Sequence, residues 1–363
     1  MSYVKAAIAA IVLFSAQCAF AQPGCTDPQA TNYNPSATSN DGSCVYPVTH
    51  KTPVLRGAMN PIITESSGIV ITDGKMWTHN DSGNPPDFYS IDTSNGHTLQ
   101  TVTVDNYPNV DWEDITADSA YIYLGDHGNN SGDRTDLKVL KIAKADIGTG
   151  STVHVNAQAI NFSYTDQTSF VSSSTHNFDC EALISVRDSL YIFTKDRGDH
   201  QTRVYKMPKT PGTYALTPYT SYNVGGLITG ADYNAATNQV VLVGYEPGHT
   251  YSFLWFLGDY QGDMFFSGNK RRVEISNGKE WQTEGVCWGA GNRVFVSCET
   301  TDSIPASLFV TDDNFGPLGV STIAAPHFDL WPNPAQNVIY INNPGSAATY
   351  DIIDVTGRIL VSG

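Results

Sequence analysis

Basic residues are scarce in this chain: 20 Lys and Arg stand against 36 Asp and Glu in 363 residues, a formal net charge of −16. Phosphate backbones are bound through Lys and Arg, so nucleic acid is not an expected partner. The balance suits a protein that binds cations or stays soluble outside the cell. Long apolar runs are also missing. The stretch 6–14 is too short to span a bilayer and no later segment approaches the length of a membrane helix, so the chain is not expected to cross one. Soft-metal patterns are absent too: the nine His do not fall in ligand pairs and no Cys-x-x-Cys occurs, which disfavours zinc. No Gly-x-Ser-x-Gly elbow is found, and no helix pattern follows Gly125 and Gly128, which removes a serine hydrolase and a dinucleotide fingerprint.

What is present begins with an export signal. Lys5 supplies the positive start, the apolar stretch follows, and Ala19-Phe20-Ala21 offers small residues for cleavage, so residues 1–21 read as a signal peptide. The mature protein is then expected to be secreted or held on the outer cell surface, where cysteines oxidise. Five cysteines remain after cleavage, an odd number, so at least one is unpaired or bonded to another molecule. Cys25 and Cys44 bracket a segment too small for a core, and a disulfide closing it is expected. Asp27, Asn32, Asn34 and Asp41 within it either furnish oxygens for Ca²⁺ or make Asx-turns. The module at 22–48, with its Gly24-Cys25-Thr26-Asp27-Pro28, Asn32-Tyr33-Asn34-Pro35 and Asp41-Gly42-Ser43-Cys44, resembles those on secreted and surface proteins of the Bacteroidetes group.

At the other end, Leu330-Trp331-Pro332-Asn333-Pro334-Ala335 and Ile352-Ile353-Asp354-Val355-Thr356-Gly357-Arg358 resemble the C-terminal sorting domain of type IX secretion cargo. That likeness implies the type IX machinery as a partner and a small β-sandwich over 328–363, cut short at Gly363 about halfway through.

Between these ends, over 51–320, five segments repeat one design: a polar oxygen residue, a small or apolar pair, a turn, then a hydrophobic strand ending in acidic residues. They open at Ser67, Glu113, Glu181, Thr229 and Glu284. The interval, on the order of 50 residues, fits four antiparallel strands and so an all-β, five-bladed propeller. The last unit lacks a fourth strand, and the stretch 53–58 is expected to complete it and close the ring. A sixth blade built from 148–172 is the rival count.

The first strand of a propeller blade lines the channel, so the five opening residues are expected to form one ring: Ser67, Glu113, Glu181, Thr229 and Glu284. Asp81, Asp126, Asp196 with Lys195, Glu246 and Glu299 are expected to form a wider ring on the same face. Three carboxylates facing a narrow channel repel one another without a counter-ion. An all-oxygen set matches a hard cation, Ca²⁺ before Mg²⁺, and waters plugging the channel are the alternative.

That order of residues, with Trp112-Glu113-Asp114-Ile115, Cys180-Glu181-Ala182-Leu183 and Thr283-Glu284-Gly285-Val286 around it, resembles the soluble calcium-activated nucleotidase (apyrase) family. The likeness implies a five-bladed propeller with Ca²⁺ in its channel and phosphohydrolysis at its mouth. Asp81 or Glu299 would handle the attacking water, and Lys195 and Arg197 the anionic substrate. The pattern departs where Ser82 follows Asp81 in place of a basic residue. Few cations in the mouth favour a Ca²⁺-binding scaffold that grips an extracellular small molecule, glycan or protein. His79 and Asp81 offer a base and an acid, or an ordinary polar turn, and the tryptophans at 77, 112, 255, 281 and 288 read as packing.

Overall fold

The computed structural model describes residues 21–248, 251–275 and 281–313, together with four short strands after residue 328. Residues 1–20 of the expected signal peptide and most of the expected sorting domain lie outside the described residues. Contacts divide the chain into two units, and Pro23–Gly319 is the larger. In the other unit, Asp329–Trp331 pairs antiparallel with Tyr340–Asn342, and Asp351–Ile353 with Ile359–Ser362.

In the larger unit the strands from Val54 to Asp312 form a five-bladed β-propeller. Blade 1 holds Ser66–Thr72, Lys75–Asn80, Asp87–Ile91 and Thr98–Val104, counted from the axis outward. Blade 2 holds Trp112–Ala117, Tyr121–Asp126, Lys138–Ala143 and Gln158–Tyr164. Blade 3 holds Cys180–Val186, Ser189–Thr194, Thr202–Pro208 and Pro218–Tyr222. Blade 4 holds Leu227–Asn234, Gln239–Tyr245, Ser252–Gly258 and Asn269–Glu274. Blade 5 supplies Thr283–Trp288, Arg293–Cys298 and Ser307–Asp312, and its fourth strand is Val54–Ala58 from before blade 1. Each inner strand packs beside those of the two neighbouring blades, and that of blade 5 packs beside that of blade 1, so the ring is closed.

The stretch 148–172 makes no sixth blade. Its Thr152–Val155 pairs parallel to the outer strand of blade 1, and Gln158–Tyr164 is the fourth strand of blade 2. Both find a partner on an existing sheet edge, which removes unpaired backbone groups without a new core.

Strand alternation explains why the second strands read as continuous apolar runs. In blade 4, Val240 and Leu242 face blade 3, whereas Val241 and Val243 face blade 5. All five blade interfaces carry such a cluster. Trp77 and Phe88 meet Trp112 and Ile122 between blades 1 and 2, and Tyr89 and Ile91 meet Phe295 and Leu308 between blades 1 and 5. Each fully buried Val, Leu or Phe contributes about 1.5–3 kcal/mol, so both faces of every blade are committed to packing. The tryptophans take part as expected: Trp281 stacks on Phe309 with centroids 4.4 Å apart, and Trp255 donates Nε1–H to the Val224 carbonyl. Among the described residues no helix is long and apolar enough to cross a membrane.

Cys25 and Cys44 are joined in a disulfide, and Cys180, Cys287 and Cys298 are free and buried. The oxygens of the stapled module make turns: Asp27, Asn34 and Asp41 accept from the N–H groups of Gln29, Ser36 and Ser43. Asn32 joins Val45 and Ser43 across the module. The module is fastened to blade 4 by Asn40 to Asp259, by Lys270 to the Gly42 carbonyl, and by Thr49–His50 pairing parallel with Asn269–Glu274.

Candidate metal centre

In every blade the ladder between the first and second strands breaks register at one place. The residues passed over are Ser67 with Gly68, Glu113, Glu181, Thr229, and Glu284 with Gly285. A bulge leaves its extra residue unpaired and re-aims its side chain. The five residues expected from the repeat to form one ring are therefore the bulge positions of the five inner strands.

The residues after the bulge are Gly68, Asp114, Ala182, Gly230 and Gly285, four small residues and one carboxylate. Space decides this. A Cβ on Gly230 would lie 2.3 Å from the Glu284 carbonyl oxygen, and one on Gly68 would lie 2.7 Å from Asp114 Oδ1. The one large side chain crosses the channel: Asp114 Oδ2 accepts from the N–H of Leu183 in blade 3 at 2.7 Å and of Ala231 in blade 4 at 3.3 Å.

Around the bulges lies an acidic chamber. Ser67 Oγ donates to the Glu113 carbonyl at 2.7 Å, and Thr229 Oγ1 to the Thr283 carbonyl at 2.7 Å. Each hydroxyl thus uses its proton sideways and keeps acceptor lone pairs. Carboxylate oxygens of Asp81, Asp111 and Glu113 lie within 4.8 Å of one another, as do those of Glu113, Asp179 and Glu181. At that spacing two full negative charges repel by about 3–4 kcal/mol at an effective dielectric near 20. Lys195 Nζ reaches Glu181 Oε2 at 2.8 Å, and Arg197 reaches Asp179 at 2.7 Å and Glu181 at 3.5 Å. Glu284 is 3% exposed, and its buried Oε2 has no hydrogen-bond partner among the described residues.

Burial and mutual repulsion push Asp111, Glu113, Glu284 and Glu299 above the usual carboxylate range. Burial, then the charges of Glu181 and Asp81, push Glu113 well up. Burial and Asp81 raise Asp111 to about 7, and Glu284 also lies at about 7, burial outweighing the opposing Lys195. Glu299 is pushed up to about 9 by burial and then by Glu284 and Asp81. Lys195 is held well above its ordinary value, since Glu181 and its acidic neighbours outweigh a burial that opposes its charge.

The wider ring is partly corrected. Backbone N–H groups of Asp81, Lys195 and Glu299 bond to the carbonyls of Glu65, Asp179 and Gln282, each two residues before a ring position. The corresponding position in blade 4 is Tyr245, paired with Leu227, and the Lys195 ammonium sits 5.1 Å from its ring. Asp126, Asp196 and Glu246 lie one residue off this register and belong to other pairings. Asp126 meets Arg134 and Lys138, Asp196 meets Arg203, and Glu246 meets Arg272. A one-residue offset in a strand turns a side chain to the opposite face, which is why acidic character alone misplaced them. His79 is fully buried against Trp112, and burial lowers it to about 4, so it is packing and not an accessible base.

Asp111 and Asp179 were missed, although both stand two residues before a ring glutamate and so on the same strand face. Asp114 was missed because its partners, the N–H groups of Leu183 and Ala231, belong to other blades and come near only once the strands close around it.

No family model matches the chain. A 23-residue segment is 83% identical to ribulose bisphosphate carboxylase/oxygenase activase 1 of Larrea tridentata; it covers 6% of this chain and 5% of that protein. Among solved structures, hydrazine synthase of Kuenenia stuttgartiensis is 13% identical with a TM-score of 0.35, over 74% of this chain and 66% of that one. An exo-β-1,3-galactanase of Phanerochaete chrysosporium is 16% identical (TM-score 0.38, 56% of this chain and 47% of that one). A hypothetical protein of Leishmania major is 10% identical (TM-score 0.41, 74% and 92%). None of these values bears on chemistry. A groove at the blade 5 edge is lined by Pro53, Leu55, Ala58, Trp281, Ile304 and Phe309, and no acid of the chamber is among its lining residues.

Proposed function

We propose that the chain is an exported Ca²⁺-binding propeller that serves as a binding or scaffold module for an extracellular ligand. The observation that carries this reading is the buried acidic chamber at the five bulges. Its donors are oxygens from several blades, Glu284 Oε2 has no partner, and the backbone at Gly128 cradles the Glu113 and Asp111 carboxylates. Such a set fits a hard cation with adaptable coordination, Ca²⁺ before Mg²⁺. Ser67, Glu113, Glu181, Thr229 and Glu284 line it. A bound Ca²⁺ would neutralise the acids and displace their protons. Export through the signal peptide, with type IX machinery acting on the C-terminal segment, completes the proposal, and the disulfide suits an oxidising destination.

The alternative taken from the apyrase likeness, a phosphohydrolase, needs cations free to hold a polyphosphate. Lys195 and Arg197 instead spend their charge on Glu181 and Asp179. That favours binding over catalysis.

The test uses the full mature chain, stripped with chelator. Calorimetric titration with Ca²⁺ should show binding, and the melting temperature should rise with Ca²⁺ concentration by mass action. Nucleotides and phosphodiesters should release no phosphate or alcohol in Ca²⁺ beyond the chelator control. Equal melts with and without Ca²⁺ would leave a water-plugged channel. Ca²⁺-dependent hydrolysis would establish the enzyme, with Asp81, Glu299, Lys195 and Arg197 as its first candidates.

A further inference from the structure

We infer that the chamber seats one divalent cation off the propeller axis, on Asp81, Asp111 and Glu113, and that Lys195 is the resident cation of its other half. The inference rests on the reading that a divalent cation binds here, and concerns where it sits and why only one fits.

Glu113 belongs to two carboxylate triads, and counter-charge separates them. In the triad with Asp179 and Glu181, Arg197 holds Asp179 through Nε at 2.8 Å and Nη2 at 2.7 Å and approaches Glu181 at 3.5 Å. The Lys195 ammonium, itself buried, completes the compensation on Glu181 at 2.8 Å. A second positive ion there would displace ion pairs already made and meet two fixed cations at close range.

The triad with Asp81 and Asp111 has no such partner. Among the described residues its single ion pair is Arg134 to Asp111 at 3.9 Å, and Arg134 is spent on Asp126 at 3.0 Å, Asp136 at 3.1 Å and the Gly128 carbonyl at 2.7 Å. Gly128 leaves one side of the triad open to the carboxylates: a Cβ there would lie 2.1 Å from Glu113 Oε1 and 2.5 Å from Asp111 Oδ2. Ser67 Oγ lies 3.4 Å from Glu113 Oε2 and adds a neutral oxygen. Independently of the triad, Glu284 brings to the same chamber a buried Oε2 with no hydrogen-bond partner among the described residues, on which the charge of Lys195 acts first and that of Asp81 next. Three carboxylates within 4.8 Å of one another, with the Ser67 hydroxyl beside Glu113, make an all-oxygen set that suits a hard cation of the Ca²⁺ class, and the orphaned Glu284 oxygen lies in the same chamber.

Ca²⁺ alone is the probe, titrated into the full chain and into isosteric variants. Parent protein should bind one ion. Asp111→Asn should weaken binding by roughly tenfold or more, since affinity follows the number of charged ligands. Glu181→Gln should weaken binding less than Asp111→Asn does, because the charge it removes is already matched by Lys195. Lys195→Met should raise the stoichiometry to two; should that variant fail to fold, the Asp111 and Glu181 comparison decides alone. If the parent binds Ca²⁺ but Glu181→Gln abolishes it while Asp111→Asn leaves it intact, the ion sits on the axis and the off-axis seat is wrong. Two ions in the parent would overturn it equally. A parent that binds none defeats the Ca²⁺ reading itself, and the seat falls with it.

Discussion

The Asp114 carboxylate in blade 2 lies 2.7 Å from the backbone N–H of Leu183 in blade 3, and with Ala231 in blade 4 it joins three inner strands across the channel. Burial raises this carboxyl well above its usual range despite three backbone N–H donors. Asp114→Ala should leave the Leu183 and Ala231 amides buried without partners and cost about 2–4 kcal/mol. Urea unfolding of the Ca²⁺-free protein measures it. A loss under about 0.5 kcal/mol would show that water replaces the carboxylate without penalty.

Closure of the ring can be attacked at one methyl group. A Cβ on Gly57, in the strand that completes blade 5, would lie 2.2 Å from the Asn95 carbonyl oxygen. Gly57→Ala should force that strand off the Asn95 turn and lower stability by about 1–3 kcal/mol. The exposed neighbour Val54→Ala should change stability by less than about 0.5 kcal/mol. Thermal melts of the pair give the contrast.

Stability without metal should fall as pH rises from 7 to 9. Glu299 titrates at about 9 in the folded chain against an ordinary value of 4.5, so the native state retains a proton that the unfolded state has lost. A carboxyl shifted upward contributes stability that is present at low pH and disappears as pH climbs through the folded pKa. His79 and His127, both lowered to about 4 by burial, are neutral in both states above pH 7 and do not enter this window. The loss should be on the order of 2 kcal/mol across the two pH units. It should shrink in Glu299→Gln and in Ca²⁺, and a flat profile for the chelated parent would contradict it.

The Cys25–Cys44 disulfide should report on the module and not on the propeller. It closes a separation of 19 residues, worth about 3 kcal/mol to that segment. Reduction or the Cys25→Ser, Cys44→Ser double variant should open residues 24–46 to protease while the blades stay resistant. Non-reduced peptide mapping should recover the linked pair. Cleavage spreading into Asn269–Glu274 would mean that the module props up blade 4 through its parallel strand.

Much of this was legible in the chain. The interval between Ser67, Glu113, Glu181, Thr229 and Glu284 carried the blade count, because each blade repeats one strand pattern whatever its side chains. The apolar runs at 190–193 and 240–243 read as hydrophobic strands, and the structure covers them on both faces. Strand 54–58 was visible as the missing piece of blade 5, since a closed ring leaves no edge. Cysteine spacing in a coreless segment pointed to the one disulfide described.

Tertiary structure decided the rest. No local pattern marks a bulge, so only the pairing shows that the ladder passes over each ring residue. Nor does sequence say which acids are already neutralised: Asp126 and Asp81 look alike in the chain, yet Arg134 and Lys138 hold one while among the described residues no ion pair reaches the other. Repeats and strand periodicity are local and survive in the amino-acid order, whereas the charge balance of the chamber depends on distances between blades and exists only once the ring has closed.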